Sequence, residues 1–198
     1  MNIFTKLFDR SPRIETERLV LRCMKVSDAA DMYEYACLDK VTEYLLWAPH
    51  DSIDFTKNYL KQVETAYKRG DFYDFGVVLK SNGKFIGTCG FANLDNANFK
   101  GEVGYVLNPE YWGKSIACEA LEAVLRLGFD RMGLNRIEAR YMIGNERSRR
   151  VMEKCGMSFE GVARQSMFVK NNFCDIGVCA ILSKDYSPKE AMQKFTNI

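Results

Sequence analysis

The stretch Tyr105-Val-Leu-Asn-Pro-Glu-Tyr-Trp-Gly-Lys-Ser-Ile-Ala-Cys-Glu-Ala-Leu121 decides how the chain is read. Val103, Tyr105, Val106 and Leu107 form an apolar run suited to a buried strand. Asn108-Pro109 breaks it, and Gly113 admits a backbone path that a side chain would obstruct. From Ile116 the positions Ala117, Ala120, Leu121, Val124, Leu125 and Gly128 return at helical spacing. A helix that opens straight after a strand and a tight turn presents unpaired N–H groups and the positive end of its dipole. The pattern predicts a seat for an anion, most often a phosphate.

Two readings of the seat compete. A P-loop follows G-x-x-x-x-G-K-[ST]. Gly113-Lys114-Ser115 fits its end, but Asn108 stands at the first glycine. Several strand candidates precede this one, and no later apolar run ends in an Asp placed for magnesium, so nucleotide binding is the weaker alternative. The second reading is a resemblance. Glu102 to Leu121 resembles motif A of the GNAT superfamily, the acyl-CoA-dependent N-acetyltransferases, and is most similar to the branch that acetylates ribosomal-protein N-termini. That family's pyrophosphate loop reads Q/R-x-x-G-x-G/A, and Trp112, Ser115 and Ala117 stand at those positions here. Ser115 replaces the usual glycine, adding either a hydroxyl for phosphate or a Cβ that crowds it.

The resemblance implies acetyl-CoA as cofactor. Its diphosphate would rest on the N–H groups of Gly113, Lys114, Ser115, Ile116 and Ala117, with Lys114 pairing electrostatically. Its pantetheine would run along Val106 and Leu107 as an added strand, with Asn145 bonding its amides. Arg147, Arg149 or Arg150 would meet the ribose phosphate, against a solvated basic face for at least two of them.

Composition sets the frame. With 198 residues, 47% hydrophobic and 27% charged, one globular domain with a full core is expected. The net charge of +2 argues against a nucleic-acid partner. Cys23, Cys37, Cys89, Cys118, Cys155, Cys174 and Cys179 show no C-x-x-C pairing and read as reduced thiols in a cytoplasmic protein, with no metal site. His50 is the only histidine, so a triad can be built around that residue alone. Met1 to Arg13 is too short and too charged for a membrane span and lacks a signal-peptide cleavage site. Residues 1–13 and 187–198 read as terminal arms around a domain at 14–186.

Thr16-Glu-Arg-Leu-Val-Leu-Arg22 alternates as a short strand and matches the opening of the resembled family. Ser27 is expected to cap a helix to about Cys37, with Asp28 and Asp31 in its first turn. A second helix covers Asp51 to Lys68, burying Ile53, Tyr59, Leu60, Val63, Ala66 and Tyr67, and ends at Arg69-Gly70. Between them Val41 to His50 is aromatic and irregular. The resemblance makes it part of an acceptor groove, while packing alone accounts equally well for Tyr44 and Trp47. Asp74 to Leu79 and Lys84 to Phe91 are strands joined through Ser81-Asn82-Gly83, and Gly101 to Leu107 continues the meander. Arg136 to Met142 follows after a helix, so it is expected beside and parallel to that strand. Met157 to Phe168 and Phe173 to Ser183 form a last hairpin over Lys170-Asn171-Asn172. The fold class is α/β (α+β), a mixed, mostly antiparallel twisted sheet of about seven strands with helices on both faces.

Asn145-Glu-Arg-Ser-Arg-Arg-Val-Met-Glu-Lys-Cys-Gly156 is a capped helix with Ser148, Val151, Met152 and Cys155 on one face. A hydroxyl on an otherwise apolar face needs a partner. Local capping is one account of Ser148, and contact with a cofactor thiol is the other. The segment resembles the family's N-x-x-S/A-x-x-x-x-x-K-x-G. There, many members carry a proton-donating Tyr where Met152 stands here, and the resembled branch assigns the thiol to the serine.

Acyl transfer to an amine needs a base for the amine proton, a donor for the carbonyl oxygen and a hydrogen bond for the departing thiolate. Glu102, on the strand entering the seat, is the leading base, with water as its alternative and Glu160, Glu43 and Asp74 in reserve. Met167 stands where the resembled branch has an acid. The chain is thus read as an N-acetyltransferase for a primary amine, a protein N-terminus or a small amine. A catalytically silent CoA-binding module is the rival suggested by Ser115, Met152 and Met167. The oligomeric state, a homodimer included, is left open.

Overall fold

The structure, a computed structural model, describes residues 12–188 and 194–196. Most of both expected arms lies outside the described residues. The strands in chain order are β1 (Arg13–Glu15), β2 (Leu19–Arg22), β3 (Tyr73–Leu79), β4 (Phe85–Asp95), β5 (Lys100–Leu107), β6 (Arg136–Met142), β7 (Ser158–Val169), β8 (Asn172–Leu182) and β9 (Lys194–Thr196). The α-helices are α1 (Ala29–Ala36), α2 (Asp39–Thr42), α3 (Ile53–Arg69), α4 (Ile116–Arg126) and α5 (Glu146–Lys154). One sheet holds all nine strands in the order β7-β8-β6-β5-β4-β3-β2-β1-β9, with β5–β6 its one parallel pair. The seven expected strands are all present, and two three-residue strands, β1 and β9, extend one edge by pairing with each other.

Local chemistry explains the elements. Ser52 caps α3 by accepting from the Phe55 N–H at 3.1 Å, and Gly70 closes it in the left-handed region at φ 72°. Lys170 and Asn171, at φ 49° and 65°, make the two-residue turn between β7 and β8. The cap expected at Ser27 is not made by that residue. Asp28 takes the turn before α1, its carboxylate gripped by Arg22 at 2.7 and 2.8 Å while accepting from the Lys25 N–H. A charged bidentate partner outcompetes a serine hydroxyl. In α3 the buried residues are Thr56, Leu60, Val63 and Tyr67. Ile53, expected inside, is 37% exposed in the first turn.

Helices cover both faces. Tyr35 of α1 stacks on Phe85 of β4 with centroids 6.4 Å apart. On the other face Gly128, one residue into the turn after α4, lies against Phe91 and Ile137, where a Cβ would come within 2.7 Å of the latter. Phe75, Ile86, Leu121 and Leu125 are fully enclosed between these layers. No helix among the described residues is long and apolar enough to cross a membrane.

Candidate active site

The site begins where two strands part. β5 and β6 pair from Lys100↔Arg136 to Val103↔Ala139 and no further, although β5 runs on to Leu107 and β6 to Met142. β6 keeps its other partner, β8, as far as Met142↔Ile176, and β5 keeps β4 as far as Leu107↔Gly87. The Val106 carbonyl faces Gly87 of β4, so by alternation the main-chain groups of Tyr105 and Leu107 face the gap. Trp112 fills one of them, its indole N–H donating to the Leu107 carbonyl at 2.9 Å. Val106, expected to pair with a pantetheine, thus turns its main chain to β4, and Tyr105 and Leu107 offer the polar edge.

The turn expected to seat an anion follows directly. Asn108 is buried, its N–H donating to the Ile86 carbonyl and its side-chain oxygen accepting from the Glu110 N–H at 3.1 Å. A single turn, Pro109–Tyr111, leads to Trp112 and then to Gly113 at φ 75°. A Cβ on Gly113 would meet nothing within 4 Å, so glycine is favoured there by torsion and not by crowding. Ser115 caps α4 in the left-handed region, φ 58° and ψ 14°, the conformation that explains a glycine preference at this place. Its side chain is exposed and makes no cap bond. Ile116 is buried beneath, Ala117 is half-buried, and the first helical bond runs from the Glu119 N–H to the Ser115 carbonyl, so the amides before it point out of the helix end. Lys114 is exposed with its ammonium 5.4 Å from the Tyr111 ring centre.

A brace that sequence reading missed holds this loop. Glu119 accepts from the Thr16 hydroxyl, the Arg18 N–H and the Arg18 guanidinium, and that guanidinium also donates to the Lys114 carbonyl at 3.1 Å. Burial would push the Glu119 carboxyl up, but the bonds from Thr16 and Arg18 outweigh it and hold the group below its ordinary value. The only sequence signal was the Thr16-Glu-Arg18 opening, a hundred residues away.

On the far wall, the Asn145 side-chain oxygen caps α5 by accepting from the Ser148 N–H at 3.2 Å. The amide NH2 is what Asn145 still offers a ligand. Ser148 does not cap. Its carbonyl accepts from the Tyr105 hydroxyl at 2.8 Å, and the two hydroxyls lie 2.9 Å apart. A carbonyl only accepts, so Tyr105 donates there and the Ser148 hydroxyl donates to the Tyr105 oxygen. Burial pushes the Tyr105 phenol up, so it stays neutral. Tyr105 looked like one more apolar strand residue, and no sequence signal marked it as a tie between β5 and α5. Met152 is buried and brings no proton to the site. Of the arginines, Arg147 lies over Trp112 at 5.0 Å from the ring centre, whereas Arg149 bonds Glu153 at 2.9 Å and covers Phe159.

On the opposite face of β5, Glu102 is half-buried, 3.5 Å from Arg140. It sits one residue before the strands separate. Of the reserves, Glu160 is held below its ordinary value by two bonds from Arg136 on the surface, and Glu43 is exposed. Asp74 is half-buried, and desolvation pushes its carboxyl up to about 7. Met167 belongs to a small apolar cluster with Met142, Val169 and Ile176, against which Tyr44 packs. His50 is enclosed by Trp47, Phe55 and Tyr59, with Nδ1 2.8 Å from the Thr56 hydroxyl, and burial lowers its pKa. These contacts make the histidine a packing residue.

Comparison with known proteins agrees with this geometry. The acetyltransferase (GNAT) domain family matches residues 18–158. The uncharacterized N-acetyltransferase p20 of Bacillus licheniformis is 30% identical over 87% of this chain and 97% of its own length. A [ribosomal protein uS5]-alanine N-acetyltransferase of Escherichia coli is 26% identical over 89% of this chain and 93% of its own. The crystal structure of a GNAT-family acetyltransferase from Bacillus anthracis superposes with a TM-score of 0.77 at 30% identity, covering 87% of this chain and 99% of that one. In this chain a strand pair opens toward the outward amides of a helix start, and the chain belongs to the GNAT family of N-acetyltransferases.

Proposed function

We propose that the chain moves an acetyl group from acetyl-CoA to a primary amine, with a protein N-terminus preferred to small amines such as polyamines, aminoglycosides or amino acids. The observation that carries this reading is the open edge of β5 running into the outward amides before α4. The residues present suit the cofactor: Tyr105 and Leu107 for pantetheine amides, Gly113 to Ala117 and Lys114 for the diphosphate, and Arg147 at the loop for the ribose phosphate. The uS5-alanine relative supports the N-terminal acceptor.

Acetyl-CoA supplies an activated acyl carbon, and the protein's own groups do the rest. Glu102, directly or through a water, takes the proton of the incoming amine, a role worth about 10²–10⁴-fold. A main-chain N–H on the gap side of β5 donates to the carbonyl oxygen. Ser148 swings its hydroxyl from Tyr105 to the sulfur while the Tyr105–carbonyl bond keeps the residue in place.

Thiol release from acetyl-CoA with an amine panel (a peptide with N-terminal alanine, spermidine, an aminoglycoside), alongside calorimetry with coenzyme A, tests the reading. Wild type should bind coenzyme A and release thiol with one or more amines. Glu102→Gln should bind equally well and lose about 10²–10⁴-fold in turnover. No association with coenzyme A sinks the reading, and binding without release in every well points to a non-catalytic module.

A further inference from the structure

The register of three strands lines up one acid with two glycines. Asp74 of β3 faces Gly90 of β4, and Gly90 faces Gly104 of β5. Directly paired residues share a face of the sheet, so a carboxylate is followed by a strip roughly 10 Å long without side chains. A Cβ on Gly90 would collide with the Asp74 main chain and lie 2.7 Å from its Oδ1, so the carboxyl leans over Gly90. A Cβ on Gly104 would meet nothing within 4 Å. The strip therefore ends in space unfilled by protein, at the first residue of the open half of β5. It lies on the face of Glu102, opposite Tyr105 and Ser148.

The carboxyl accepts from the Thr88 hydroxyl and, at 3.0 Å, from the Phe75 N–H. The titratable groups that feel its charge are Tyr35 of α1, Tyr59 and Tyr67 of α3, and Cys89 of β4, each pushed toward its neutral form first by burial. Asp74 has no ion pair among the described residues. A half-buried carboxylate without a counter-ion is partly desolvated, and an arriving cation offsets that penalty. Amine acceptors arrive as cations, since an α-amine titrates at roughly 7.7–8.0.

We propose that Asp74, at the head of the Gly90–Gly104 strip, recognises the ammonium form of the acceptor, a primary amine whose first carbons carry little bulk. This rests on the acyl-transfer reading and adds the acceptor's binding group to it. Removal of the proton stays with Glu102 or water.

The test titrates n-propylamine into the full 15N-labelled chain and follows the Gly90 and Gly104 amide signals. Saturable shifts at both are expected at pH 7.5. Their midpoint should weaken as pH falls through about 7, where Asp74 takes up its proton. Asp74→Asn should weaken the midpoint about tenfold or more. Gly104→Val should abolish the shifts while the rest of the spectrum stays folded, since a Cβ there meets nothing within 4 Å. Calorimetry with coenzyme A should read the same in Asp74→Asn as in wild type. Absence of a saturable shift in wild type, or shifts that persist undiminished in both variants, overturns the proposal. Loss of coenzyme A binding in wild type would instead strike the acyl-transfer reading, because the amine titration needs no cofactor.

Discussion

From Lys100 to Val103, β5 is paired on both edges; from Gly104 to Leu107 it is paired on one. Each half contains a glycine, and the two are there for opposite reasons. At Gly101 a Cβ would come within 2.8 Å of the Phe91 ring and 3.0 Å of Leu134, so the closed half needs glycine in order to pack. At Gly104 a Cβ would meet nothing, so the open half keeps glycine without any packing need. The same hydrogen-bonding groups that join the sheet below Val103 become a binding surface above it. The difference shows that a strand frees one edge of hydrogen-bonding groups by losing a neighbour while it remains a strand throughout.

Four substitutions would break or sharpen that contrast. Beside the open half, on α5, the proposed role of Ser148 makes its hydroxyl the thiolate's hydrogen bond, and bonds to charged groups contribute about 1.5–3 kcal/mol. Ser148→Ala should therefore cut kcat roughly 10–100-fold with the KM for acetyl-CoA unchanged. Tyr105→Phe should cut kcat less, because it only loosens the serine. Steady-state kinetics on both decide it, and equal wild-type rates would return Ser148 to a structural role. In the closed half, Gly101→Ala should lower stability by about 1–3 kcal/mol through overpacking, a fall of about 2–4 °C in Tm per kcal/mol for a chain of this size. Its specific activity at low temperature should be untouched, and calorimetric melting with an activity assay checks both. The smallest effect belongs to the loop. Ser115→Gly should relieve left-handed strain by about 1 kcal/mol and raise Tm accordingly, while weakening coenzyme A if the hydroxyl bonds phosphate. A variant that melts higher and binds unchanged would show that the serine crowds nothing and bonds nothing.

What could be read from the sequence follows how far apart the cooperating residues lie. The seat at Gly113–Ala117 and the capped helix from Asn145 are each contiguous, and their turns, caps and apolar spacing are local physics. The seven longer strands were legible for the same reason, whereas β1 and β9, three residues each, are too short for an alternation to show. The Arg18–Glu119 brace joins elements a hundred residues apart, and the Tyr105–Ser148 tie joins a strand to a helix across the fold. Neither leaves a periodic trace. The Asp74–Gly90–Gly104 strip depends on the register of three strands, which hairpin lengths and a bulge at Val77/Val78 settle only in three dimensions. Glu102 was legible as a carboxylate entering the seat, but its partner Arg140 became visible only when β6 was laid beside β5.

The Tyr105–Ser148 tie has a consequence for how the cleft meets its guest. Both hydroxyls and the serine carbonyl are already satisfied by one another, and the tie bolts the floor of the opening to its far wall. The jaws are latched before anything enters, so an arriving molecule finds its berth at full width and gives up little of its affinity to ordering the walls.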